Sequence, residues 1–238
     1  MKIKKHDESG RFIPLTQITD SESLNRFITE MIPMLHKEPE QVSPIRYIMS
    51  ELIRNVIEHS NSSYGALVCA QHYPKTHKIR IGVADVGIGI KKSINQAYPE
   101  AETHLKALQL ALTPGITGTT RKIGGTEQNG GAGLFIIKSI AKLNRDFFLI
   151  YSGNAMYKLL TDKTNRNERL NRNPFDDKNK TTENIPHWQG TAIAIDLSLD
   201  KEMNFTELFT LIGQAYQKGK KEGDKMKYKK PKFITNGS

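Results

Sequence analysis

Hydrophobic residues recur every three or four positions in several segments of the chain, which is the spacing of an amphipathic helix. The segments predicted to be helices are residues 20–37, 43–60, 103–112 and 132–143, with a last helix beginning near residue 205. Asp20 or Ser21 is placed to cap the first of them, and Pro33 predicts a kink or an early end. Ser43 followed by Pro44 is typical of a helix start and predicts where the second helix begins.

Other segments alternate between hydrophobic and polar residues, as half-buried strands do. The predicted strands are residues 66–73, 78–86, 147–152, 156–160 and 191–197. Residues 74–77 and the Gly153-Asn154 pair fit the turns of two hairpins. Residues 161–187 are polar and are predicted to form a long loop or insertion that adds little to the core. This order of elements predicts an α+β fold with two layers.

Length and composition favour one globular domain with appendages. The chain has 238 residues, 37% of them hydrophobic and 25% charged, which is ordinary for a globular protein. Residues 20–200 are predicted to form the domain, residues 1–19 an N-terminal extension, and residues 201–238 a C-terminal helix and basic tail. We find no hydrophobic run of membrane-spanning length and no hydrophobic leader, so we expect a cytoplasmic protein with no membrane partner.

The lone cysteine, Cys69, lies in the hydrophobic stretch 66–70 and is predicted to be a buried structural thiol. A single cysteine also fits a reducing compartment.

The net charge of +10 is concentrated near the C-terminal end. From residue 218 onward there are eight lysines against one glutamate and one aspartate, and this segment alone carries +6. Such a segment is predicted to be a solvated terminus. A polyanion-binding role remains the alternative, with nucleic acid or an acidic protein as the partner.

The second predicted helix carries a polar face that includes Glu51, Asn55 and Glu58. These residues are spaced i, i+4 and i+7, and Glu51 and Asn55 each lie about 100° from the hydrophobic stripe of Leu52 and Val56. An asparagine at such a rim can bind magnesium where phosphates supply the negative charge. A glutamate there can orient and deprotonate a water molecule. Taken alone, the pattern also fits a solvated helix face.

Two glycine-containing segments follow along the chain. Asp85 ends a predicted buried strand, and Gly87 and Gly89 come directly after it. Residues 124–134 are rich in glycine and open the fourth predicted helix, where backbone N–H groups can bind phosphate. Each segment alone is a weak signal, because many turns and flexible loops have similar sequences.

Together and in this order, the three segments resemble the N, G1 and G2 boxes of the gyrase, Hsp90, histidine-kinase and MutL (GHKL) ATP-binding superfamily. Gly190-Thr191 at a late strand resembles the Gly-Thr motif that this family places beside adenine. The resemblance covers about residues 20–197. It implies the Bergerat fold, an α/β sandwich with helices on one face of a mixed, mainly antiparallel sheet. ATP would lie between helices and sheet, under a mobile lid formed by residues 114–130.

The resemblance also implies residue roles. Asp85 would accept a hydrogen bond from the adenine amino group, partly with a water held by Thr191, and Asn55 would bind Mg²⁺. Gly87 and Gly89 would shape the purine pocket, Gly131 and Gly133 would bring backbone to the phosphates, and Leu134 would also belong to the nucleotide site. Asn129 departs from the family pattern, which has glycine there. Asparagine tolerates left-handed backbone better than most residues, so a variant loop is expected.

Glu51 is typical of hydrolytic members and of anti-sigma-type serine kinases, whereas histidine kinases have asparagine at this place. Glu58-His59 is similar to the anti-sigma kinase group. These similarities imply a small stand-alone regulatory Mg²⁺-ATP-binding protein with slow ATPase or serine kinase activity, Glu51 as base, and a regulatory protein partner. The alternative is a nucleotide-gated protein-binding module with little or no catalysis.

The source of a cation for the γ-phosphate stays open. Family members that borrow a basic residue take it from a following domain, and about 40 residues after Leu197 are too few to form one. Arg121 or Lys122 of the predicted lid, a tail lysine, or a partner protein would then supply it. The only tryptophan, Trp188, is expected to pack rather than to stack on adenine.

Overall fold

The computed structural model describes residues 10–118, 132–161, 170–199 and 205–227. Within these ranges the strands are β1 (Phe12–Ile18), β2 (Ala66–Tyr73), β3 (Lys78–Ala84), β4 (Phe148–Gly153), β5 (Ala155–Leu159), β6 (Asn179–Thr182) and β7 (Trp188–Ser198). The α-helices of the same ranges are α1 (Ser21–Arg26), α2 (Pro39–His59), α3 (Gly89–Asn95), α4 (His104–Ala111), α5 (Gly133–Leu143) and α6 (Phe205–Lys227). Short 3-10 turns lie at Ile32–Leu35, Pro74–Thr76 and Pro174–Asp176.

The strands form one sheet in the order β1-β2-β3-β7-β4-β5-β6. Every pairing between the described strands is antiparallel, so the expectation of a mixed sheet is wrong for this part of the chain. The register aligns buried residues across five strands, because side chains on neighbouring strands share a face with their direct partners. One such row is Ala70, Ile81, Ile195, Phe148 and Leu159.

The helical layer packs on the face that carries this buried row. Ile48 and Leu52 of α2, and Ile137 and Ile140 of α5, belong to the same hydrophobic core as the central strands. The predicted two-layer α+β architecture is therefore confirmed. Among the described residues, no helix combines the length and hydrophobicity needed to cross a membrane.

Cys69 lies on the opposite face of the sheet and is exposed, so the prediction of a buried thiol is wrong. It stands between the buried residues Val68 and Ala70, and successive side chains of a strand point to opposite faces. Its partner across the sheet is Gly82, which in turn pairs with Ala194. A hydrophobic stretch in the sequence does not show which of its members face the helices.

The start of the second helix also differs from the prediction. α2 begins at Pro39, and Pro44 lies inside it. Glu38 is extended and precedes a proline at the first helical position, which is the same start signal that Ser43-Pro44 offers one turn later. The first predicted helix is interrupted as Pro33 indicated, because α1 ends at Arg26 and gives way to a π-helical turn and then a 3-10 turn.

Two stretches contribute more to the fold than their sequences indicated. The predicted N-terminal extension contains β1, which pairs with β2 and buries Ile13 and Ile18. The polar insertion contains β6 and the 3-10 turn, and it buries Pro174 and Asp177, so the expectation of little core is wrong there. A register irregularity in β1 and the short length of β6 hide the alternation that marks a strand.

The last helix, α6, packs against the outer side of the helical layer. Phe209 lies edge-on to Tyr47 of α2, with 5.0 Å between ring centroids. Tyr216 lies 6.2 Å from Phe135 of α5 by the same measure. α6 thus contacts both long helices, and its backbone continues as helix to Lys227, through part of the predicted basic tail.

Candidate functional site

A cleft of about 300 Å³ lies between α2, α3, α5 and the ends of the central strands. It brings together most of the residues that the sequence singled out, from segments up to 140 positions apart: Glu51, Asn55, Asp85, Gly89, Gly133, Leu134 and Thr191. Gly87 does not line the cleft. Gly131 and most of the predicted lid, residues 119–130, lie outside the described residues.

Asp85 lies at the sheet end of the cleft, directly after β3. Its backbone N–H donates to the carbonyl of Thr191 at 2.8 Å, which extends the pairing of β3 with β7 by one step. Its Oδ1 accepts from the backbone N–H of Gly87 at 2.7 Å. The side chain is buried, and burial raises the pKa of the carboxyl group above its ordinary value. A buried carboxylate of this kind is a strong acceptor for a donor that enters the cleft.

Gly190 and Ser152 hold this end of the cleft together. A Cβ atom at Gly190, which has φ of +102°, would lie 2.2 Å from the carbonyl oxygen of Asp85, so only glycine fits. The Ser152 hydroxyl donates to the Gly190 carbonyl at 2.7 Å and accepts from the N–H of Ile90 at 3.0 Å. Sequence reasoning missed Ser152, because its partners lie 38 and 62 positions away and no local pattern marks it.

The two glycines after Asp85 do different things. A Cβ atom at Gly87 would lie 2.0 Å from the carbonyl oxygen of Ser60, so this glycine lets the strand end approach the end of α2. That carbonyl also accepts from the N–H of Ile88 at 2.7 Å. Gly89 has φ of +72° and lines the cleft at the start of α3. The pair therefore joins α2, β3 and α3 at the base of the cleft.

The helical wall of the cleft is the polar face of α2. The Glu51 side chain is 25% exposed. Burial raises the pKa of its carboxyl group, an effect that Arg54 opposes. Asn55 has a buried Nδ2 without a hydrogen-bond partner. A Cβ atom at Gly133 would lie 2.8 Å from Glu51 Oε2 and 3.8 Å from Asn55 Nδ2, so the start of α5 faces both side chains at close range.

Arg54 also lines the cleft, and sequence reasoning did not single it out. Its Nη1 lies 3.4 Å from Glu51 Oε1, and its Nε lies 3.8 Å from Glu58 Oε1. Arg121 and Lys122 of the predicted lid, which the sequence suggested as cations for the γ-phosphate, lie outside the described part of the chain.

The wall opposite α2 comes from α3 and the beginning of the predicted lid. Ser93, Thr117 and Gly118 line the cleft there. A Cβ atom at Gly118 would lie 2.5 Å from the Ser93 carbonyl oxygen, so the chain passes directly over α3 at this point. Trp188 does not line the cleft; its side chain is exposed, and its indole N–H donates to the Asp85 carbonyl at 3.2 Å.

In the described ranges, no group of three or more histidine, cysteine, aspartate or glutamate side chains is arranged to hold a metal ion. Comparison with models of known protein families and with curated proteins finds no match to this chain.

Proposed function

We propose that the cleft binds ATP with Mg²⁺, and that the protein is a regulatory ATP-binding protein of the GHKL type with the Bergerat fold. The observation that carries the proposal is the position of Asp85. A buried carboxylate at the end of a central strand lies in one cleft with a polar helix face and with the glycine at the start of a second helix. Residues from three separate sequence segments meet there, which supports the proposal.

The sheet end of the cleft suits a purine base. Asp85 offers an ionised acceptor for an exocyclic amino group, and Thr191 beside it offers a hydroxyl. Val83, Ile90 and Ile193 supply apolar lining next to these polar groups. A flat, largely apolar ring with one donor at its edge fits such a lining, since ligand sites combine apolar walls with few fixed polar groups.

The helical end of the cleft suits the phosphates. The start of α5, an 11-residue helix with Gly133 first, provides unpaired N–H groups and the positive end of the helix dipole. The buried amide of Asn55 needs a partner, and an oxygen-rich ligand supplies one. Asn55 Oδ1 would bind Mg²⁺, with the remaining ligands from phosphate and water. The bound ion would neutralise phosphate charge.

Glu51 is the proposed base. Its half-buried carboxylate lies beside the start of α5, where a terminal phosphate would be. There it can orient and deprotonate a water molecule or a serine hydroxyl, which makes the protein a slow ATPase or a serine kinase. In the second candidate function, ATP binding changes a protein contact and hydrolysis contributes little. The contact between Arg54 and Glu51, 3.4 Å in the structure, favours that candidate if it persists when ATP is bound, because a paired carboxylate is a weaker base.

Replacement of Glu51 by glutamine separates the two candidates. Glu51→Gln keeps the size of the side chain and removes the base, so ATP affinity is expected to stay within a few-fold while phosphate release falls roughly 100-fold or more. Glu58→Gln is the matched control, because Glu58 also lines the cleft and lies beside Arg54 but is more exposed. Calorimetry measures the affinity, and a phosphate-release assay measures turnover. If turnover is equal in Glu51→Gln and wild type, the binding-module function is the one to keep.

A further inference from the structure

We infer that Arg54 moves away from its carboxylate partners on α2, Glu51 and Glu58, and binds the terminal phosphate of the nucleotide. This inference rests on the proposed function and names a residue that the sequence did not indicate. It removes the need for a following domain or a partner protein to supply the cation.

The position of Arg54 is the first observation behind the inference. Among the described residues that line the cleft, Arg54 is the one side chain with a permanent positive charge. It lies on the same face of α2 as Glu51 and Glu58, three residues after the first and four before the second. Because long side chains three and four positions apart share a helix face, a guanidinium at this place reaches the region between Glu51 and Glu58.

The second observation is that the present contacts of Arg54 are loose. Its distances to the two carboxylates are 3.4 and 3.8 Å, longer than a good charge-assisted hydrogen bond. Its side chain is 53% exposed, so water screens both pairs. A guanidinium matches two phosphate oxygens at once, which neither carboxylate contact achieves in this geometry. Exchange of partner therefore costs little and gains a better-fitting anion.

The charges of the cleft supply the third observation. Three carboxylates line it, those of Glu51, Glu58 and Asp85. A triphosphate that enters such a cleft is repelled unless cations offset both sets of negative charge, and one divalent ion leaves part of the charge unbalanced. The movement of Arg54 to phosphate also releases Glu51 from its ion pair. The base is then free only when a terminal phosphate is present.

The test compares affinities for ATP and ADP in the presence of Mg²⁺, measured by calorimetry on the full chain. Arg54→Gln is expected to weaken ATP binding about tenfold or more and to leave ADP binding within about threefold, because the lost contact is charge-assisted and specific to the terminal phosphate. Arg54→Lys keeps the charge without the forked geometry and is expected to lie between wild type and Arg54→Gln. Arg46→Gln, an exposed arginine of the same helix, is the control and should change neither affinity.

The outcomes separate this inference from the proposed function. If wild type binds ATP but Arg54→Gln keeps the wild-type ratio of ATP to ADP affinity, Arg54 does not bind the terminal phosphate and the proposed function stands. A wild type that binds both nucleotides equally overturns the inference in the same way. If wild type binds neither nucleotide, the inference and the proposed function both fail. Thermal unfolding of each variant shows whether a lost affinity reflects a lost fold.

Discussion

Burial raises the pKa of two carboxyl groups that line the cleft, those of Glu51 and Asp85. The two groups differ in what opposes this rise of the pKa. Backbone N–H groups stabilise the ionised form of Asp85, whereas the charge of Arg54 stabilises that of Glu51. The ionised form of Asp85 is thus stabilised by fixed backbone groups, and that of Glu51 by the exposed side chain of Arg54. This difference fits the proposed roles, in which Asp85 accepts a hydrogen bond from adenine and Glu51 acts as a general base.

The pH dependence of turnover follows from the environment of Glu51. A general base must be deprotonated, so activity is expected to fall as the pH drops through the pKa of Glu51, which burial raises. Without nucleotide, Arg54 lowers that pKa, so the acid limb of kcat/KM, which reports the nucleotide-free protein, should lie at higher pH in Arg54→Gln than in wild type. Phosphate release measured from acid to neutral pH checks this shift. An acid limb that does not move in Arg54→Gln would show that the titrating group is not Glu51.

At the scale of single residues, the sequence indicated those that belong to the ordered motifs, and apart from Gly87 the ones that the structure describes line one cleft. Sequence reasoning missed Ser152, because its hydrogen-bond partners lie far away along the chain. It missed Arg54 because the cleft that Arg54 lines forms only when the chain folds. Gly87 was recognised as necessary, but the close approach it permits is to the Ser60 carbonyl. Cys69 was misplaced because the face of a strand depends on its pairing.

At the scale of elements, the polar insertion is anchored to α5, the helix whose start lines the proposed phosphate end of the cleft. Lys138 and Lys142 of α5 both donate to the carboxylate of Asp177, and Asn171 donates to it as well. Lys138 and Asp177 are fully buried. Burial lowers the pKa of Lys138, and the charge of Asp177 opposes this. The insertion thereby fixes α5 against the far edge of the sheet.

Loss of the Asp177 carboxylate should destabilise the fold strongly. Asp177→Ala leaves the fully buried ammonium group of Lys138 without its carboxylate, which typically costs about 3–5 kcal/mol. The neighbouring exposed Asp176 is the control, and Asp176→Ala should cost less than about 1 kcal/mol. Urea unfolding measures the free energy of unfolding of both variants. Equal small losses in the two variants would contradict an anchoring role for the buried cluster.

The sequence predicted most elements, because α5, β2, both hairpins and β7 have clear periodicity and turn residues. It missed α3, whose seven residues begin with glycine and are too short for a helical stripe. It missed β1 and β6 as well, which occupy the two edges of the sheet. Edge strands contribute fewer buried residues than central ones, so their local signal is weaker.

At the scale of the whole molecule, the cleft exists because the sheet and helices converge on one end of the central strands. β7 lies at the middle of the sheet and brings Thr191 between Asp85 after β3 and Ser152 in β4. α2 and α5 also line the cleft at this end of the central strands, and α6 contacts both helices. Helix α6 therefore contacts both helices that line the proposed phosphate end, and it contains the first part of the lysine-rich segment.

Binding of Mg²⁺-ATP, measured by calorimetry near neutral pH, tests the central claim most directly. The comparison is wild type against Asp85→Asn and Asp146→Asn. Asp146 is a buried carboxylate outside the cleft that pairs with Lys78, so it controls for loss of any buried charge.

Asp85→Asn is expected to stay folded. Its amide oxygen can still accept from Gly87 N–H, as Asp85 Oδ1 does. The raised pKa of Asp85 means that the folded state loses stability as pH rises from the unfolded pKa through the folded one, and the variant removes that cost at neutral pH.

We predict that wild type and Asp146→Asn bind Mg²⁺-ATP alike. Asp85→Asn should bind at least about tenfold more weakly, because a charge-assisted hydrogen bond is lost while the fold persists. Equal affinity in wild type and Asp85→Asn, or no ATP binding by wild type, would contradict the proposal that this cleft is an ATP site.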